Sequence, residues 1–80
     1  LEEKEAFGIV LRRLREKKGI TQEQLAFRCN LHRTYIGLLE RGLRQPTIST
    51  IFSIGKELKI KPSTIIKLTE QEMVKKPSGE

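Results

Sequence analysis

The stretch Thr21–Glu40, TQEQLAFRCNLHRTYIGLLE, constrains this chain more than any other. It reads as two short helices joined by a tight turn, with Ala26, Asn30, Ile36 and Leu39 at the spacings such a pair needs. Two helices that cross steeply must approach closely, so one contact position has to be small, and Ala26 is. The turn needs a residue that tolerates a left-handed backbone, and Asn is the usual substitute for Gly there, which places the bend at Asn30. Leu25 and Leu31 flank these points, while Ile36 and Leu39 share one face of the second helix.

The flanking chain extends the same all-α pattern. No β-type alternation persists, and no internal repeat is visible. Phe7, Val10, Leu11 and Leu14 follow i, i+3, i+4, i+7 spacing and predict a first amphipathic helix from about residue 3 to 18. Its outer face carries Arg12, Arg13 and Lys17, and Gly19 suits a left-handed cap. Thr21 with Gln24 three residues on makes a capping box, which satisfies two backbone N–H groups at the start of the next helix. The third helix is expected from about His32 to Arg41, stopped by Gly42. After the loop Gly42-Leu-Arg-Gln-Pro46, Thr47 is a suitable N-cap for a fourth helix that turns Ile48, Ile51, Phe52, Gly55 and Leu58 inward. A break over Lys59–Pro62 precedes a fifth helix starting at Ser63, with Ile65, Ile66 and Leu68 apolar. The expected organisation is one domain over residues 1–74 and a mobile polar tail over 75–80, which lacks apolar anchors.

Eighty residues suffice for one small core and leave no room for a separate catalytic or ligand-sensing domain. The margin is narrow, and dimerisation would help. A formal net charge of +6 favours a polyanionic partner. No apolar run approaches the roughly 20 residues of a spanning helix, and the first residues are acidic, unlike a signal peptide. A single cysteine cannot form an intrachain disulfide, which fits a reducing cytoplasm. The steep helix pair on a basic chain is the helix-turn-helix pattern, whose second helix enters the DNA major groove.

At this point the residues identify a family. Leu11-Arg-Arg-Leu-Arg15, Lys18-Gly-Ile-Thr-Gln-Glu-Gln-Leu-Ala26, Tyr35-Ile36, Glu40-Arg-Gly42 and Pro46-Thr47 resemble the Cro/phage-repressor, or XRE-type, helix-turn-helix domains from about residue 7 to 68. Within it, Leu25-Ala-Phe and Asn30-Leu-His-Arg-Thr-Tyr-Ile36 look most like the small dimeric controller proteins of restriction–modification systems. The resemblance implies a compact five-helix, lambda-repressor-like fold. It departs from the family at three places. Asn30 stands where glycine is usual, and His32 where Ser, Thr or Asp caps the recognition helix. Gly37 sits mid-helix, at a cost of about 1 kcal/mol relative to Ala, and takes a side chain from a surface that often touches DNA.

By that resemblance Gln22, first in helix two, grips a phosphate, helped by the N–H groups and partial charge of the helix start. Arg33 and Thr34 are placed to read base edges, the arginine by bidentate contact with guanine O6 and N7. Tyr35 offers its hydroxyl to a phosphate or keeps it satisfied in the core. Leu38 is expected exposed, facing the groove or simply packing, and Arg44 reaches DNA from the loop, with the N–H groups of Leu43 and Arg44 available to phosphate. Thr21 and His32, at the two helix starts, complete the expected DNA-contacting set. Arg15 and Glu40 should pair and tie helix one to helix three. The other basic residues, Arg12, Arg13, Lys17, Lys18 and Arg28, read as a solvated face.

Cys29 and His32 invite a metal or nucleophile reading, but a closed zinc site needs four ligands and no other Cys or His exists. Cys29 is therefore expected as a small buried hydrophobe, with no cofactor, no metal and no enzymatic activity. The leading expectation is a cytoplasmic, homodimeric transcription regulator on a pseudo-palindromic operator, with Ile65, Ile66 and Leu68 at the two-fold interface. Double-stranded DNA is the partner, RNA polymerase a further one, and no membrane is involved. Two alternatives stand beside it. An antitoxin-like module could use exposed Phe27 and Leu38 to hold a protein, or the chain could be one domain of a longer regulator, since it starts at Leu1 rather than Met.

Overall fold

The computed structural model describes residues 1–75. Five helices follow one another: α1 Glu3–Lys18, α2 Gln22–Cys29, α3 Arg33–Glu40, α4 Ile48–Leu58 and α5 Pro62–Met73. There is no strand among the described residues. Of the expected polar tail, residues 76–80 lie outside the described residues. None of the described helices is long and apolar enough to cross a membrane.

Local chemistry sets the helix ends. α1 starts in a capping box, the Glu2 N–H donating to Glu5 Oε1 at 3.0 Å, and ends at Gly19 with φ 77°. The Thr21 hydroxyl accepts the Gln24 N–H at 3.0 Å while Gln24 Oε1 accepts the Thr21 N–H at 2.9 Å, so the capping box that opens α2 is complete. Asn30 closes α2 in the left-handed region, φ 56° and ψ 43°, and α3 starts two residues later behind His32. Thr47 caps α4 by accepting the Thr50 N–H at 3.0 Å. Lys59, at φ 58°, ends it where no sequence signal marked a left-handed residue.

α1 lies against α5 and α3, α2 packs on α3 and α4, and the enclosed core contains Phe7, Val10, Leu11, Leu25, Ala26, Ile36, Leu39, Ile54, Leu58 and Ile65. Gly8 sets the α1–α3 separation. A Cβ there would stand 2.4 Å from the Leu39 carbonyl oxygen and 2.7 Å from that of Glu40, both backbone atoms. The sequence pattern shows no sign of this contact.

Three expectations are corrected here. α4 turns Ile51, Ile54, Gly55 and Leu58 inward, while Ile48 and Phe52 stand 74% and 59% exposed. The helix carries apolar residues on two overlapping stripes, and its packing against α2 and α5 selects the one containing Ile54. On α5, Ile65 is 1% exposed and belongs to the chain's own core, so it cannot line a two-fold interface. Ile66 is exposed, and Leu68 packs partly against the core. The helix also begins one residue earlier than expected, with Pro62 in its first turn, where a missing N–H costs nothing.

Candidate DNA interface

The turn at Asn30 holds α2 and α3 as a rigid pair, because the Leu31 N–H returns to the Ala26 carbonyl at 2.8 Å and Leu31 packs on the core. With Ile36 and Leu39 completely buried, the opposite side of α3 is turned outward. Arg33 and Thr34 stand exposed at its first turn, as the pattern requires, and Gly37 follows Arg33 one turn on. Arg41 is exposed at the helix end, and its Nε donates to the Gly37 carbonyl at 3.4 Å. Arg41 was missed in the sequence reading, although it stands two turns from Arg33 on the same face. Gln22, Arg33, Thr34, Gly37 and Arg41 together border a depression of about 340 Å³.

A charged relay anchors this face to α1. Arg15 grips Glu40 with both arms of its guanidinium, Nε to Oε2 at 2.6 Å and Nη2 to Oε1 at 3.0 Å, and its Nη1 donates to the Ile20 carbonyl at 2.8 Å. The two side chains are 11% and 3% exposed, so the expected pair is present and largely dry. The hydrogen bond to Glu40 outweighs desolvation and pushes Arg15 further up from its ordinary value, which keeps the guanidinium charged. Gln22 joins the relay, its Nε2 donating to Glu40 Oε1 at 3.0 Å. A carboxylate only accepts, so the amide oxygen of Gln22 is the atom turned away from Glu40. One amide proton is thus committed inside the protein.

Tyr35 has its hydroxyl satisfied within the domain. The ring is half-buried, its hydroxyl lies 3.3 Å from Thr50 Oγ1, and Thr50 is bonded in turn to the Thr47 cap. The Arg44 guanidinium sits 5.8 Å from the ring centroid, a cation–π contact that holds the loop arginine beside α3. Leu38 is half-buried rather than exposed, since its neighbours on the inner face draw it toward the core. The Leu43 N–H is taken by the Leu38 carbonyl at 2.9 Å, so that loop donor is not available to a phosphate as expected. Thr21 is exposed with its hydroxyl oxygen committed to the cap, and His32 is exposed at the start of α3 with no side-chain capping bond.

Cys29 is buried, and desolvation raises its thiol above the ordinary value, against a hydrogen bond with Ser53 that pulls the other way and the charge of Glu57, which adds to the rise. A thiol held protonated in an apolar setting is a poor nucleophile. Among the described residues no three His, Cys, Asp or Glu side chains gather as metal ligands.

The model of the helix-turn-helix family matches residues 11–65 of the chain. The chain is 42% identical over 64 residues to the control protein C.BamHI of Bacillus amyloliquefaciens, a match that covers 79% of each. It is 37% identical over 76 residues to the control protein C.SmaI of Serratia marcescens, covering 95% of this chain and 87% of that protein. Its structure matches that of the restriction–modification controller protein C.Esp1396I, solved as a tetramer with its natural 35 base-pair operator. The TM-score is 0.82 at 33% identity, over 94% of this chain and 99% of that one. The chain thus belongs to the helix-turn-helix family, of the Cro/phage-repressor (XRE) type, and its resemblance within that family is to the controller proteins of restriction–modification systems.

Proposed function

We infer that this chain is a sequence-specific DNA-binding transcription regulator of the restriction–modification controller kind, working as a homodimer on a pseudo-palindromic operator and without enzymatic activity. The observation that carries the reading is the outward face of α3. Arg33 and Thr34 project freely from a helix held at its back by Ile36, Leu39 and the dry Arg15–Glu40 pair. Gln22 and Arg44 flank that face and supply phosphate contacts, and Arg33 supplies base discrimination worth roughly 1–3 kcal/mol. Exposed Ile48 and Phe52 on α4 and Ile66 on α5 form the apolar surface for the partner copy. Two copies would set their α3 helices in successive major grooves about 34–36 Å apart. RNA polymerase is a further partner if the dimer activates at a promoter.

Binding to selected and random duplexes at two salt concentrations tests the reading. Arg33→Ala is expected to lose the preference for the selected site, by 10-fold or more on the scale of about 1.4 kcal/mol per decade, while salt-sensitive binding to random DNA survives. Equal losses on both duplexes would overturn the base-reading role.

A second reading, a module that holds a protein partner, is favoured by Phe27, which is 87% exposed on the outer side of α2. Half-buried Leu38 no longer supports it. A stoichiometric protein complex that survives Arg33→Ala but is lost on Phe27→Ala, with no salt-sensitive DNA binding, would establish that alternative.

A further inference from the structure

Gly37 is the one residue on the outward face of α3 that departs from what a surface helix wants, and the space it leaves is open. A Cβ built there would have a single neighbour within 4 Å, Gln22 Oε1 at 3.8 Å. Neither packing nor backbone strain demands glycine, since its φ is not positive and ordinary contact distance remains. The residue gives up about 1 kcal/mol of helix propensity for no intramolecular return. What it produces is the floor of the depression between Arg33, Thr34, Arg41 and Gln22.

We propose that this recess makes Gly37 a specificity-determining position that receives the C5-methyl group of a pyrimidine in the major groove. The proposal rests on the DNA-binding reading above. Four residues along a helix advance about 6 Å, so the recess lies roughly two base-pair rises from the base contacted by Arg33. A carbonyl or exocyclic amine on a base edge gains nothing from a hole, because it needs a partner at hydrogen-bond distance and glycine withdraws the surface. A methyl group standing out from the groove edge does gain. It fills the volume of the missing Cβ and meets the Thr34 methyl and the aliphatic stems of Arg33 and Arg41. The arginine at one end reads a guanine while the recess beside it reads a methylated pyrimidine, whether thymine or 5-methylcytosine.

The test begins with the half-site selected from random duplexes. Each pyrimidine opposite α3 is then varied in the sets thymine against uracil and cytosine against 5-methylcytosine, and binding is measured for the parent chain and for Gly37→Ala. At one position per half-site the parent is expected to favour the methylated base about fourfold, the worth of one buried methyl-sized group. Gly37→Ala should erase or invert that preference, read as the ratio of its affinities for the two duplexes of each set. The two sets tell which pyrimidine carries the methyl. Thermal melting of Gly37→Ala is expected at or above the parent, which separates lost contact from lost fold. Methyl-independent binding at every position, or a methyl preference unchanged in Gly37→Ala, would overturn the recess and leave the regulator reading intact. A parent chain with no preferred duplex at all would instead sink that reading itself.

Discussion

Arg15 and Glu40 meet across 25 positions of sequence in a pair that water scarcely reaches, and the energetic consequence is asymmetric. Replacing the whole pair by apolar groups could be near neutral, but removing one partner strands the other charge. Arg15→Ala is therefore expected to cost about 3–5 kcal/mol in urea denaturation. Arg15→Lys should recover only part, because a lysine cannot span both carboxylate oxygens and the Ile20 carbonyl. Gly8 is decided by a single missing atom. Gly8→Ala adds helix propensity yet drives a Cβ into two α3 carbonyl oxygens, so α1 must lift off α3. A net loss of about 1–3 kcal/mol is expected from the same measurement, the range for overfilling a packed site. A gain in stability would show that the close approach is not maintained in solution.

The five helices divide by how completely their neighbours cover them. α4 and α5 leave Ile48, Phe52 and Ile66 in solvent, α2 leaves Phe27, and α1 leaves the less exposed Ile9. Under the homodimer reading proposed above, these exposed side chains on the last two helices are the apolar surface offered to a second copy. Phe52→Glu puts a charge into that surface without touching the core. It is expected to yield a folded monomer by sedimentation, unchanged in helical circular dichroism, and to weaken operator binding through lost coupling of the two half-sites. A Phe52→Glu chain that still dimerises would move the interface elsewhere. Exposed Phe27 lies on α2, away from these helices in sequence, and the same experiment leaves it untouched as an internal comparison.

Across the whole molecule the first and last helices are joined by charge. Glu72 on α5, its side chain 10% exposed, accepts from Arg13 of α1 at 3.2 Å and pairs with Lys75 at the same distance. Desolvation pushes its carboxyl up, but the bonds from Lys75 and Arg13 outweigh that and hold it below the ordinary value. The folded chain thus keeps Glu72 ionised where the unfolded chain would protonate it. Its contribution is present above the unfolded value of roughly 4.3 and is lost as pH falls through the lower folded value. Glu72→Gln is expected to be less stable than the parent near neutral pH, with the difference closing on acidification below about pH 4. A gap that stays constant with pH would show that the packing of the side chain, and not its charge, joins α5 to α1.

Sequence by itself determined where the helices run and how they end, because those features are local. The Thr21–Gln24 capping box and the left-handed turn at Asn30 each rest on backbone groups within four residues of the signal. It also determined which side of α3 faces outward, since Arg33, Thr34 and the Ile36–Leu39 pair fall on opposite sides of one short helix whatever the remainder does. Only the tertiary structure decided which stripe of α4 turns inward, because Ile48, Ile51, Phe52, Ile54 and Leu58 spread over an arc wider than its neighbours cover. The same holds for Ile65, which an isolated α5 presents as readily as Ile66, and for the glycine at position 8, whose role exists only once Leu39 and Glu40 lie across it. Periodicity names the faces of a helix, but a face becomes core or surface only when another element arrives to cover it.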